Sequence, residues 1–195
     1  MELLLVRHGL PLRREVVDGP ADPELSAQGH DQALLLAKYL SSEKISAIYS
    51  SPMKRAVQTA QPLSETIGLP IEIVDDVAEY DRLSNEYIPI EELRAANDER
   101  WQKLLEGGWE SDSDTLDEFR DRVVSSLEKL IAQHPSQKVV VACHGGVINQ
   151  YLAHILGIKT EHGFFYPQYT SVHRIFAAQN GLRSIASLNE IAHLR

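Results

Sequence analysis

The sequence predicts a three-layer α/β/α sandwich with a mainly parallel central sheet and a small, mostly helical insertion. Two nearly continuous aliphatic runs, Glu2 to Val6 and Lys138 to Cys143, read as strands covered on both faces, like the inner strands of a parallel sheet. Around them, segments with helical spacing alternate with short strand-like segments. Close to the end, Asn180-Gly181 separates two alternating runs and signals a hairpin.

In chain order, the first strand breaks at Arg7-His8-Gly9, and Pro11, Gly19, Pro20 and Pro23 mark irregular chain after it. Ser26 is a suitable N-cap for a helix reaching Leu40, with Ala33, Leu36, Ala37 and Leu40 on one face. Ile45 to Tyr49 alternates as a strand does, and Ser51-Pro52 reads as a cap with proline at the first helical position. The helix that follows carries Ala56, Ala60, Leu63 and Ile67, ends at Gly68 with Pro70, and leads into a short strand from Ile71 to Val74. From there to Asp114 the alternation breaks down, and Trp101, Trp109 and Gly107-Gly108 among many acids suggest a helical excursion at about 76–113 within a single domain spanning 1–195. Thr115 to Glu118 is a capping box opening a long helix with Leu116, Phe119, Val123, Leu127, Leu130 and Ile131 on its apolar stripe. After Pro135 comes the second aliphatic strand, which breaks at His144-Gly145-Gly146 into a helix stopping at Gly157. Ser171 to Ala177 and Leu182 to Leu188 then form the hairpin, with a type I′ turn expected at Asn180-Gly181.

Hydrophobic residues make up 43% of the 195 positions and charged residues 24%, the balance of a globular chain. A single cysteine, Cys143, excludes an intramolecular disulfide and thiolate-rich zinc frameworks. No apolar run is long enough to span a membrane, and the short run in MELLLVRHG lacks the basic start of a leader, so a cytoplasmic location is expected. Of the net charge of −9, the segment from Asp75 to Glu118 carries −11, leaving the remainder near +2. No basic face for nucleic acid is visible. The acidic segment reads first as a solvated surface, and second as one that repels polyanionic substrates.

Ligands of such sheets bind beyond the carboxyl ends of the strands. Two histidines leave aliphatic strands at that edge, His8 and His144, each with glycine beside it to let the backbone turn. His144 and Gly145 also open a helix, where free N–H groups favour an anion. Arg7 and Arg55, the latter in the first turn of a helix, point to the same edge. Each feature alone has an ordinary structural reading, since a lone Arg-His-Gly is weak and a buried histidine is usually a satisfied core residue. Their joint placement describes a site for a dianion such as phosphate.

These blocks resemble the histidine phosphatase, or phosphoglycerate-mutase-like, superfamily over nearly the whole chain. Leu3 to Gly9 is similar to its nucleophile motif, and Asp22 to Gly29 with Gln32-Ala33 to its first helix. Ile48 to Ala60 resembles its second arginine block, and Val139 to Gly146 its second histidine block. Leu188-Asn189 with His193-Leu194 is like the tail of several members. The resemblance implies phosphate monoester hydrolysis without a metal or other cofactor. His8 would be the neutral nucleophile, with Arg7, Arg55 and a protonated His144 holding the phosphoryl oxygens and Gly145 contributing to substrate binding. A carboxylate from the inserted segment would give the leaving group its proton. Glu79 is the choice for it, with Asp81 and Asp76 as competitors, because the small glycine- and tryptophan-containing block often seen after this acid is not recognisable in Tyr80 to Pro89.

Other chemistries fit poorly. Cys143 lacks an arginine at the spacing a tyrosine-phosphatase loop needs, no paired-histidine metal motif occurs, and Gly145-Gly146 does not extend into a dinucleotide fingerprint. His30, His154, His162 and His173 read as surface or satisfied residues. The apolar Leu10 after the first motif and the short chain favour hydrolysis over mutase-type transfer, and a non-catalytic phosphate binder on the same scaffold is a third reading. The expected partner is a small phosphorylated metabolite, not a nucleic acid or a membrane, and oligomeric state is not legible. Tyr80, Tyr87, Trp101 and Trp109 could wall a leaving group, but read more simply as the insertion's own core.

Overall fold

The computed structural model describes residues 1–106, 114–159 and 163–195. Strand β1 (Glu2–Arg7) leads to a short β2 (Arg14–Glu15), helix α1 (Ala27–Leu40), β3 (Ala47–Ser50), α2 (Lys54–Ile67) and β4 (Ile71–Ile73). A 3₁₀ turn at Asp75–Val77 is followed by β5 (Glu86–Tyr87), α3 (Ile90–Ala95) and α4 (Glu99–Glu106). The chain closes with α5 (Leu116–Gln133), β6 (Lys138–Cys143), α6 (Gly145–Leu156) and the pair β7 (Val172–Ala177) and β8 (Arg183–Glu190).

Six strands form one sheet in the order β4-β3-β6-β1-β7-β8. The first four run parallel, and β7 and β8 are antiparallel. Strand alternation explains the three layers. Leu3, Leu5, Val139, Val141 and Cys143 face Phe119, Val123 and Leu127 of α5 and Val147 and Tyr151 of α6. Leu4, Val6, Ile48, Val140 and Ala142 face Leu36 and Leu40 of α1 and Ala60 and Leu63 of α2. With both faces covered, β1 and β6 have no place for a polar side chain until their ends, which is why each reads as an unbroken apolar run.

The expected caps hold in α1, where the Ser26 hydroxyl accepts from Gly29 N, and in α5, where Thr115 and Glu118 complete the capping box. The start of α2 differs: the helix begins at Lys54, two residues beyond the expected proline start, and the distant Asp22 caps its Lys54 N–H at 3.0 Å. The closing hairpin differs too. Only Gly181 lies in the left-handed region (φ 92°) and Asn180 does not, so the turn is not type I′. Gly181 N instead donates to Ala178 O at 3.2 Å, a turn closed by one left-handed glycine.

Pairing of β2 with β5 was not expected. These two-residue, polar strands have no periodicity to read, yet they draw the segment after β4 across the loop that follows β1. Tyr80 packs on Phe119 of the main core, and Tyr87 lies over Arg55, so neither belongs to a separate core of the insertion. Trp109 and Gly107-Gly108 lie outside the described residues, as does His162. Several acids of this segment are paired rather than merely solvated: Asp81 with Arg55, Glu86 and Asp98 with Arg100, and Asp114 with Arg82 and Arg122. Among the described residues no helix is long and apolar enough to cross a membrane.

Candidate active site

Sheet register brings the two histidine motifs together. Arg7 is level with Cys143 across the β1–β6 pair, and His8 N donates to Cys143 O at 2.9 Å. The rings of His8 and His144 therefore lie 5.2 Å apart between centroids. On the other side of β6, Ser50 of β3 is level with Ala142, which carries Ser51 to the edge, where its hydroxyl meets His144 Nε2 at 2.7 Å. By its place before Pro52 in the sequence, Ser51 is expected as a helix cap. It stands against His144 because that helix starts later.

Two of the sequence blocks turn out to be scaffolding for the loop after β1. Ser26 N and Oγ both donate to Leu10 O, and Leu10 N donates to Gln32 Oε1. A Cβ on Gly9 would lie 2.7 Å from Gly29 O, and one on Gly29 would collide with Leu10 O, so both positions require glycine for close backbone approach. From α2, the Thr59 hydroxyl accepts from Gly9 N at 2.9 Å and donates to Arg55 O at 2.6 Å. One helix turn thus fixes the first histidine loop and the second arginine together.

His8 is buried and hydrogen-bonded through Nδ1 to Gly9 O at 2.8 Å. A carbonyl can only accept, so Nδ1 carries the proton. Burial, then the positive charges of Arg55 and Arg7, push the His8 pKa well below its ordinary range. The ring is neutral, with its lone pair on Nε2. His144 is driven well below the ordinary range in the same way, by burial, Arg55, His8 and Arg7. Burial first, and then the two guanidinium groups, favour the uncharged form of His144 in the absence of a bound dianion.

The guanidinium of Arg7 is sandwiched: its carbon lies 4.0 Å from the Tyr169 ring centroid and 4.9 Å from that of Tyr166, and Nη1 donates to Pro167 O at 2.6 Å. The tail motif holds that loop, as Asn189 Oδ1 accepts from Gln168 N and its Nδ2 donates to Tyr166 O. Arg55, only 1% exposed, bonds to Asp81 Oδ1 at 3.2 Å and stacks under Tyr87. Despite these contacts, Arg7 Nε, Arg55 Nε, Arg55 Nη1 and His144 Nδ1 are buried without a hydrogen-bond partner. Buried donors left open at one spot are costly unless a ligand completes them.

The three candidate acids separate by environment. Asp76 is exposed on its 3₁₀ turn. Asp81 is committed to Arg55. Glu79 is buried, its Oε2 accepting from Gly146 N at 2.8 Å and Oε1 from Tyr80 N at 2.9 Å. Burial and the neighbouring Asp81 raise its pKa above the usual carboxylate range, against the pull of those two N–H groups and Arg55. A Cβ on Gly146 would collide with Glu79 Oε1, so the second glycine of the His144 motif makes room for this carboxylate. Gly145 abuts Arg7 instead, an added Cβ lying 3.8 Å from its Nε.

Of the remaining histidines, His173 is buried, bonded to Ser171 and the Asn189 N–H, and lowered to about 4 by burial. His30 and His154 are exposed. Cys143 is buried with its thiol pushed up by burial, as an inert core residue. Among the described residues no group of three or more His, Cys, Asp or Glu is arranged to hold a metal ion. Signals for Tyr166, Tyr169 and Pro167 are absent from the sequence, since they act through a loop whose path only the tertiary fold sets.

Fold and geometry together define an α/β protein with a buried cationic cluster, suited to an oxyanion, at the carboxyl edge of its sheet. The chain belongs to the histidine phosphatase superfamily (branch 1), whose family model matches residues 3–190. It is 33% identical over 155 residues to the uncharacterized phosphatase PhoE of Bacillus subtilis, covering 78% of this chain and 76% of that one. It is 28% identical over 201 residues to phosphoserine phosphatase 1 of Hydrogenobacter thermophilus, covering 100% and 94% respectively. Among solved structures, phosphoserine phosphatase of Entamoeba histolytica in complex with 3-phosphoglyceric acid shares the fold, with a TM-score of 0.78 at 24% identity over 100% of this chain and 99% of that one. The protein is thus an enzyme of the phosphatase class of this superfamily.

Proposed function

We propose that the protein hydrolyses phosphate monoesters of small metabolites through a phosphohistidine on His8 Nε2, without a metal. The observation that carries this reading is the set of unpartnered buried donors of Arg7, Arg55 and His144 beside a histidine whose lone pair is directed to Nε2. The lone pair attacks phosphorus, an N–P bond forms, and the ester P–O bond breaks. Glu79, whose pKa burial and Asp81 raise, passes its proton to the leaving oxygen. Water then attacks phosphorus, giving a proton back to the Glu79 carboxylate, and the N–P electron pair returns to Nε2. Arg7 and Arg55 stabilise the charge on the phosphoryl oxygens. In the tautomer in which Ser51 donates to Nε2, a neutral His144 carries its proton on Nδ1 and donates from there.

The relatives that act on phosphoserine make a phosphorylated amino or hydroxy acid the first substrates to try. The test is hydrolysis of p-nitrophenyl phosphate and of phosphoserine in excess EDTA, by wild type and by His8→Ala. Turnover that survives the chelator and vanishes in the variant supports the reading, and turnover retained by His8→Ala overturns it. Efficient interconversion of 2- and 3-phosphoglycerate primed by the bisphosphate would make the protein a mutase instead. Full activity of Glu79→Gln with loss in Asp81→Asn would move the acid to Asp81.

A further inference from the structure

One charged side chain outside the cationic cluster is tied to the segment that carries Glu79. Arg122 projects from α5 with only 12% of its side chain exposed. Its Nη1 donates to the carbonyls of Asp76 and Ala78, both at 2.7 Å, and Nη2 lies 3.4 Å from Glu79 O. Its Nε bonds to Asp114 Oδ2 at 2.9 Å, and Asp114 also takes Arg82 Nη2 at 2.7 Å. The guanidinium carbon sits 4.7 Å from the Phe119 ring centroid, a face packed in the core. A planar fork with fixed donor directions is therefore held on one side by Asp114 and Phe119 and spends its other side on backbone carbonyls.

We propose that Arg122 is the positioning residue for the proton-donating carboxylate, an inference that rests on the assignment of Glu79 above. The segment from Asp76 to Glu79 has no ladder of its own, because β4 ends at Ile73 and the 3₁₀ turn is three residues long. Its carbonyls converge on one guanidinium, which sets where the Glu79 backbone stands. The Gly146 and Tyr80 N–H groups then set where the carboxylate stands. Arg122 donates no hydrogen bond to a reacting group; its charge is felt by Glu79 and His144, and Arg122→Lys, which keeps that charge, separates it from the placement of Glu79. A lysine at this position keeps the charge but not the fork, and cannot span the carbonyls and Asp114 at once.

Leaving groups separate this role from a general structural one. A p-nitrophenolate departs without a proton, whereas an alkoxide needs one. The value of kcat/KM, which covers only steps up to transfer onto His8, is compared for p-nitrophenyl phosphate and β-glycerophosphate with wild type, Glu79→Gln, Arg122→Lys and Arg122→Ala. Glu79→Gln is expected to lose about 10²-fold more on the alkyl ester than on the aryl ester. The Arg122 variants should show the same selectivity at about tenfold, with partial return of the alkyl rate when guanidinium ion is added to Arg122→Ala. Arg122→Lys carries the test if Arg122→Ala does not fold. Equal losses on both esters, or none, in a folded Arg122 variant while Glu79→Gln stays selective would overturn the role of Arg122 alone. Absence of selectivity in Glu79→Gln itself would instead overturn the acid assignment, and the positioning role with it.

Discussion

The two halves of the site are built differently. Arg7, His8, Arg55, Ser51 and His144 all leave the ends of β1, β3 and β6 or the first turns of the helices that follow, so sheet register fixes them. Glu79, Asp81 and Tyr87 come from a segment with little regular structure, held by the side chains of Arg122 and Arg55 and by a two-residue strand pair. The first half inherits the rigidity of a covered parallel sheet. The second depends on a few charge-assisted hydrogen bonds, each of which one substitution removes. Damage to the first half should therefore weaken catalysis on every ester alike, and damage to the second should sort esters by how much their leaving groups need a proton.

The largest expected effect lies in the sheet-fixed half. Arg7→Met strips a buried guanidinium from the phosphoryl group and leaves the contacts of Glu79 and Asp81 in place, so kcat/KM should fall about 10³-fold or more on alkyl and aryl esters equally. Steady-state kinetics on both esters checks it, and a selective loss would break the division between the halves. Gly146→Ala stands at the seam. Its methyl group displaces the Glu79 carboxylate and leaves His8 alone, so a drop of about 10- to 10²-fold confined to alkyl esters is expected, with an unchanged circular dichroism spectrum.

Stability effects sharpen the contrast further. Gly29→Ala drives a methyl group into Leu10 O, where backbone meets backbone and no side chain can yield. It should cost about 1–3 kcal/mol in urea denaturation, the range of overpacked cores. Lowering pH should also weaken the sheet-fixed half. His173 titrates at an ordinary 6.5 when unfolded and at about 4 when folded. Below 6.5 the unfolded chain binds the proton first, so this contribution is intact above 6.5 and is lost as pH falls toward 4, at up to ~1.4 kcal/mol per pH unit. His8 and His144 act in the same direction, and denaturation midpoints that did not drop over this range would contradict all three. The subtlest expected change belongs to the second half. Asp81→Asn removes a negative charge beside Glu79, lowers its raised pKa, and should move the alkaline limb of kcat/KM to lower pH.

How much of this could be read beforehand follows the same division. The strands β1 and β6, the capping box of α5 and the glycine ends of α2 and α6 were legible, because each is written in contiguous residues: an apolar run, a Thr-to-Glu spacing, a glycine after a periodic stripe. Arg7, His8, Arg55 and His144 could be brought to one edge for the same reason. Ser51 was misread because a serine before proline looks like a cap whether or not a helix begins there. The hairpin turn was misread because Asn-Gly suits several turns, and strand register chooses among them.

By itself, then, the sequence determined what is local: which segments are strands or helices, which faces are apolar, and which cationic groups a parallel sheet must deliver to its carboxyl edge. Tertiary structure decided what is not local. It put Glu79 rather than Asp76 against the helix that His144 opens, buried His144 beside two arginines, sandwiched Arg7 between Tyr166 and Tyr169, and tied Glu79 to Arg122 forty-three residues away. The physical reason is that periodicity and capping act over a few residues of chain. Burial, charge proximity and a hydrogen bond act through space, between residues whose separation along the chain carries no signal.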